Sequence, residues 1–225
     1  MKRITVLLAD DHQIVREGFV SLLGHEGDIE VVGEAANGRE AVQLTRKLRP
    51  AVVVMDIAMP LLNGLEATRQ IRKAFPETKV LILSAHSDEA YVEQATLFGA
   101  AGFLLKQTSS HALSEAIREV HKGNTFFGLP NFKRVQARSQ KLEGTGRDTK
   151  KKMDRLSSRE VEVLQLIAEG VPSKSIALEL GVSFKTVDKH RQHLMSKLDI
   201  HDIAGLTRYA IAEGIIESDV RLTIT

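Results

Sequence analysis

The chain has 225 residues, 43% hydrophobic and 27% charged, which is enough apolar content for two packed cores. It contains no cysteine, which excludes disulfides and thiolate metal sites and fits a reducing compartment. The formal net charge of +2 is too close to balance to name a partner by itself.

The distribution of charge is more informative. Residues 1–122 carry 14 Lys+Arg against 16 Asp+Glu, residues 123–153 carry 8 against 2, and residues 154–225 carry 9 against 11. The basic excess therefore lies in the middle. No apolar run approaches the roughly 20 residues of a membrane span, and Met1-Lys2-Arg3 runs straight into a strand pattern, unlike a signal peptide. The expectation is a cytoplasmic protein with no membrane partner.

Ile4 to Ala9 is the first of several short apolar runs, and Ile14, Phe19 and Leu22-Leu23 then recur at helical spacing up to Gly24. Ile29 to Glu34 reads as a second strand, and Gly38 to Leu48 as a helix ended by Arg49-Pro50. Val52 to Met55 forms the third run, followed by a helix from Asn63 to Phe75 between Pro60 and Pro76. Val80 to Leu83 precedes a helix from Asp88 to Phe98 closed by Gly99. Ala101 to Leu105 precedes one capped by Ser109-Ser110 and running to about Lys122. Five such alternations predict a parallel sheet of five strands with helices on both faces.

From Gly123 to about Met153 the periodicity dissolves. Phe126, Phe127, Leu129, Phe132 and Val135 suit a short packed element, and the polar, glycine-containing stretch from Ser139 to Lys152 reads as a linker. From Leu156 onward only helical periodicity remains. Ser157 caps a helix with Val161, Leu164, Ile167 and Ala168 on one stripe, and Ser173 to Leu180 is a short second helix. Ser183 caps a longer helix carrying Val187, Leu194 and Leu198, and Asp202 begins a fourth. Two helices joined by the tight Leu180-Gly181-Val182-Ser183 turn are a helix-turn-helix pattern.

Asp10, Asp11, Asp56, Ser84 and Lys106 each stand at or just past the end of an apolar run. The carboxyl ends of the strands form the ligand crevice of an open parallel sheet, so these residues are expected to converge. Three carboxylates, a hydroxyl and an ammonium suit a divalent cation and a phosphoryl group. Hard oxygen donors favour Mg²⁺, which offsets repulsion between a carboxylate and incoming phosphoryl oxygens.

The acidic pair after the first strand, Asp56 in Val-Val-Met-Asp-Ile-Ala-Met-Pro, the following Asn63-Gly64-Leu65-Glu66-Ala67, Ser84 and Gly102-Phe103-Leu104-Leu105-Lys106 resemble the receiver domain of two-component response regulators. The likeness covers about residues 3 to 122. It implies a flavodoxin-like fold with Asp56 as phosphoacceptor, Asp11 and Asp56 as direct Mg²⁺ ligands, Asp10 acting through water and the Ala58 carbonyl completing the set. It also implies that Ser84 and Phe103 move together on activation while Lys106 contacts the phosphoryl group. Gln107 departs from the proline many receivers place after the lysine, which bears on loop geometry. Ala58 has no group to orient an attacking water, which predicts a long-lived phosphoryl state; a half-life of seconds would contradict it. His86 reads as a loop histidine beside that group.

Between Ser183 and Lys197 lie Lys185, Lys189, Arg191 and Lys197 against the single Asp188, a basic helix in a domain of net −2. The segments Leu156 to Gly170, Lys174 to Ala177, Leu180 to Ser183 and Lys185 to Arg191 are similar to the LuxR-type helix-turn-helix, over about residues 156 to 213. With the receiver, this resembles the NarL/FixJ family of response regulators. Base-reading positions then fall on Asp188, Lys189 and Gln192, with Lys185, Thr186 and Arg191 nearer the backbone. Lys189 suits guanine, Gln192 adenine and Asp188 the amino group of cytosine. His190 and His193 lack the companions of a metal site.

The resulting expectation is an α/β plus all-α chain: a receiver in 1–122, a basic linker in 123–153 and a four-helix DNA-binding domain in 154–225. It is expected to take phosphoryl on Asp56 from a sensor histidine kinase and to bind promoter DNA as a homodimer, paired through Asp202 to Glu213, with RNA polymerase as a further partner. By family analogy, the unphosphorylated receiver covers or constrains the recognition helix. No enzymatic activity is expected beyond the receiver's own phosphoryl transfer and dephosphorylation. Two rivals remain: an aspartyl-nucleophile phosphatase, which normally has a second acid where Ala58 stands, and an interaction antagonist that does not read DNA, which Asp188 keeps open.

Overall fold

A computed structural model of the chain describes residues 3–85, 89–128 and 156–216. The chain divides into two compact units, Met1–Gly146 and Arg147–Thr225. His86 and the stretch from Leu129 to Lys152 fall outside the described residues, as does Asp88, where a helix start was expected.

In the first unit β1 (Ile4–Ala9), β2 (Ile29–Ala35), β3 (Val52–Asp56), β4 (Lys79–Ser84) and β5 (Gly102–Leu105) alternate with α1 (Gln13–Gly24), α2 (Gly38–Leu48), α3 (Gly64–Ala74), α4 (Glu89–Leu97) and α5 (Ser110–His121). All pairings are parallel and the strand order is β2-β1-β3-β4-β5-β6. Neighbouring side chains on a strand point to opposite faces, so each apolar run supplies two cores. Leu7, Val53, Met55, Ile82 and Phe103 meet residues of α2, α3 and α4 on one face. Val6, Leu8, Val54, Leu81, Leu83 and Leu104 meet α1 and α5 on the other.

The sheet has six strands, where five were expected. The additional strand, β6 (Phe126–Phe127), pairs with β5 through Gly102 and Phe103. Gly102 makes this possible: a Cβ there would lie 2.4 Å from the Phe126 carbonyl oxygen. Phe126 N–H donates to Ala101 O at 3.0 Å and Gly128 N–H to Phe103 O at 3.0 Å. A two-residue strand carries too little periodicity to be read from sequence.

The second unit holds four helices among the described residues: α6 (Ser158–Ala168), α7 (Ser173–Glu179), α8 (Phe184–Leu198) and α9 (Ile203–Ala212). The apolar stripe expected on α6 widens to burial of every residue from Glu160 to Ile167, and the other three helices pack against it. The α7–α8 turn is a Schellman motif. Val182 N–H donates to Ala177 O at 3.0 Å and Gly181 N–H to Leu178 O at 3.1 Å, with Gly181 at φ +62°. Ser183 caps α8 by accepting from Thr186 N–H at 3.1 Å. Among the described residues no helix is long and apolar enough to cross a membrane.

Candidate functional site

The parallel register brings four strand ends level: Ala9 pairs with Met55, Asp56 with Leu83 and Ser84 with Leu105. Asp10 just past β1 and Asp56 at the end of β3 thus stand on either side of the point where the strand order reverses, which is where open α/β sheets form their crevice. Lys106 Nζ reaches between them, 2.7 Å from Asp10 Oδ2 and 2.9 Å from Asp56 Oδ2. Both carboxylates are 4% exposed. Asp56 Oδ1 accepts from the Ile57 N–H at 2.8 Å, and Asp10 Oδ1 from the His12 N–H at 2.9 Å. Arg16 donates to the Asp10 carbonyl at 2.7 Å, tying α1 to the strand end.

Burial pushes the Asp56 carboxyl up to about 6, against the opposing pull of the Lys106 ammonium and with a further push from the Asp10 charge. Burial works against the charged Lys106, but hydrogen bonding and charge from Asp10 and Asp56 outweigh it and raise its pKa above the ordinary value. At neutral pH both groups are therefore ionised, and Asp56 is a carboxylate only about one unit above its titration.

The structure also brings in His12, which the sequence reading passed over. Its Nδ1 lies 2.8 Å from Asp11 Oδ1 and 3.4 Å from Asp10 Oδ1. Ligand atoms of Asp10, Asp11, His12 and Asp56 all lie within 4.8 Å of one another. Its adjacency to Asp10-Asp11 was the available signal. Asp10 Oδ2 is buried, with the Lys106 ammonium 2.7 Å away as its partner. Buried carboxylate oxygens grouped with other hard donors suit a divalent cation.

Gly64 permits the close approach of α3 to this site. A Cβ there would lie 1.7 Å from the Asp56 carbonyl oxygen, and Gly64 N–H donates to Ile57 O at 2.8 Å. Asn63 caps the helix by accepting from Glu66 N–H at 2.8 Å. In the same loop Leu61 holds φ +67°, unusual for a residue with a Cβ. Ala58 is half-buried two residues beyond Asp56. Ser84 is buried at the end of β4, and Phe103 is fully buried between Ile82 and Phe127 in the sheet.

On α8, Val187, Leu194 and Leu198 are buried and Lys185, Lys189 and Gln192 are exposed, as the helical wheel predicts. Thr186 is half-buried, its hydroxyl 2.8 Å from that of Ser183 in the cap. Asp188 bridges its own helix: Oδ1 accepts from Arg191 Nη2 at 3.0 Å and Oδ2 from Gln192 Nε2 at 3.0 Å. Lys197 does not join this face. Its Nζ donates to Glu160 Oε2 at 2.6 Å, the same oxygen that accepts from Ser157 N–H at 2.7 Å in the capping box of α6. Arg159 donates to Leu180 O at 2.6 Å, linking α6 to the end of α7.

A carboxylate crevice on a parallel sheet, in one chain with a capped helix-turn-helix, is the two-part architecture of a regulator. Residues 6–118 match the response regulator receiver domain, and residues 154–210 match the bacterial regulatory proteins of the luxR family. The chain belongs to the two-component response regulators with a LuxR-type DNA-binding domain. It is 39% identical over 216 residues to the oxygen regulatory protein NreC of Staphylococcus aureus, covering 94% of this chain and 99% of that protein. A structure of RcsB from Salmonella enterica serovar Typhimurium bound to promoter rprA in the presence of the phosphomimetic BeF3⁻ is similar at TM-score 0.56 and 26% identity, covering 92% and 98% of the two chains. A structure of two RcsB dimers bound to two parallel DNAs is similar at TM-score 0.55 and 28% identity over the same shares.

Proposed function

We propose that this chain is a phosphorylation-controlled transcription regulator in which Asp56 accepts a phosphoryl group from a histidine kinase and α8 binds promoter DNA. The observation that carries the reading is the Lys106 ammonium held between Asp10 and Asp56 at the carboxyl edge of the sheet. In the transfer, an Asp56 carboxylate oxygen attacks phosphorus, the phosphorus–nitrogen bond of the phosphohistidine breaks, and the departing imidazole takes up a proton. Asp11, Asp56 and the Ala58 carbonyl would hold Mg²⁺, with Asp10 acting through water. When bound, that ion offsets negative charge between the carboxylate and the phosphoryl oxygens. Lys106 is already placed to pair with an added oxygen. Ser84, buried at the neighbouring strand end, and Phe103 on β5 are the groups we assign to the conformational response.

We assign the receiver to 1–122, with β6 drawn from the first residues of the 123–153 linker, and the DNA-binding domain to 154–225. Lys185, Thr186, Asp188, Lys189, Arg191 and Gln192 form the proposed DNA face. Binding as a homodimer is supported by the likeness to RcsB, whose dimers are seen on DNA, since pairing two half-sites makes the second contact intramolecular. Phosphorylation is tested with acetyl phosphate and Mg²⁺. The wild-type chain should gain one phosphoryl group and increased affinity for its own upstream DNA, while Asp56→Asn should gain neither. DNA binding stimulated equally in both proteins would refute the mechanism.

A further inference from the structure

Asp188 is an acidic group in the middle of a helix that must approach phosphates, and its two oxygens are both engaged. One holds the Arg191 guanidinium at 3.0 Å and the other the Gln192 carboxamide at 3.0 Å. The residues lie three and four positions apart, so one carboxylate can face both along a single side of α8. Arg191 rests there incompletely satisfied, because its Nε–H is buried with no hydrogen-bond partner. Lys185 and Lys189, by contrast, are exposed and carry no ion pair among the described residues.

We propose that Asp188 is a positioning residue that restrains Arg191 and orients Gln192, rather than a reader of a base. The inference rests on the DNA-binding reading of α8. With Asp188 in place, the first contacts with any duplex come from Lys185 and Lys189 alone. Arg191 meets a phosphate with its charge already offset by the Asp188 carboxylate, whether it keeps that partner or exchanges it, so the contact gains little on arbitrary sequence. Gln192 has one amide hydrogen committed to Asp188. Its carbonyl oxygen and second hydrogen are left for the donor and acceptor pair on the major-groove edge of adenine. A single carboxylate thereby lowers non-specific binding and narrows the orientations of a base-reading side chain. It raises the ratio of specific to non-specific affinity without itself reading a base.

The test compares the full-length wild-type chain with Asp188→Asn, Asp188→Ala, Arg191→Ala and the Asp188→Asn/Arg191→Ala double variant, all treated with acetyl phosphate. Binding is measured to a random-sequence duplex and to the chain's own upstream region between 50 and 200 mM salt, with thermal melting to verify folding. Releasing Arg191 adds about one phosphate contact, which steepens the logarithmic salt slope by about 0.9. The loss of affinity over that fourfold range then grows by a further factor of about 3.5. Asp188→Asn should show this on random DNA, and the double variant should not. Selection from a randomised duplex library should show a preference for adenine at one position that weakens in Asp188→Ala. A weaker Asp188→Asn with an unchanged salt slope and a lost preference for cytosine would make Asp188 a direct base contact and overturn the proposal. Unchanged binding in every variant would overturn it while leaving the DNA-binding reading intact. Absence of binding by the wild type to either duplex would overturn both.

Discussion

Replacing Asp56 by Asn should make the protein more stable at neutral pH, because the proposed phosphoacceptor is kept ionised in a place that disfavours the charge. Its carboxyl is raised by burial from 3.8 to about 6, even with Lys106 2.9 Å away. Between those two pH values the native state binds a proton that the unfolded state does not. Stability therefore falls as pH rises through that window. Two pKa units correspond to about 3 kcal/mol at pH 7, falling to about 1.6 kcal/mol at pH 5 and about 0.5 kcal/mol at pH 4. Asn removes the charge, and Lys106 retains Asp10 as a partner at 2.7 Å, so no ammonium is stranded. For a chain of this length the pH 7 difference is roughly 6–12 °C in melting temperature. Urea and thermal unfolding of the full chain in EDTA, from pH 4 to 7.5, measure it directly. Equal stability at pH 7, or an advantage for Asp56→Asn that grows on acidification, would refute the reasoning.

Removing the ammonium by Lys106→Met should raise the Asp56 titration further, so the pH dependence of acetyl phosphate labelling should move to higher pH and labelling at pH 7 should drop at least severalfold. Gly64→Ala should destabilise the receiver by about 3 kcal/mol or more and abolish labelling, since its Cβ would meet the Asp56 carbonyl at 1.7 Å; circular dichroism melting separates it from Gly18→Ala, whose Cβ meets nothing within 4 Å. Glu160 is disfavoured by burial, but Lys197 and Ser157 more than compensate, so its pKa lies below the ordinary 4.5. The stability it contributes is present above pH 4.5 and lost as pH falls below that. Lys197→Met should remove about 1 kcal/mol at pH 7, discounted for the partial exposure of the lysine, and the deficit should shrink on acidification.

Much of the site was legible because its chemistry is punctuation. Asp10, Asp56, Ser84 and Lys106 are polar residues that interrupt or end buried apolar runs, and a parallel sheet carries such residues to one edge whatever the intervening sequence. Ser109, Ser157, Ser183 and Asp202 were readable as helix starts because each accepts from a backbone N–H three residues along, a contact entirely local in sequence. His12 was missed although it stands next to the acidic pair. Its role as a neighbour depends on how the chain turns from β1 into α1.

Sequence alone determined the alternation of the first five strands with helices and the run of helices after residue 156, because hydrophobic period and capping act over a few residues. Tertiary structure decided what pairs across long gaps. Phe126 joins the sheet because Gly102 leaves room beside β5, and Lys197 turns to α6 because Glu160, 37 positions earlier, lies within 2.6 Å. Lys106 ends between two carboxylates rather than beside one, and burial carries the Asp56 proton up to about pH 6 against its pull. These outcomes depend on desolvation and distance, which arise only once the strands and helices have packed.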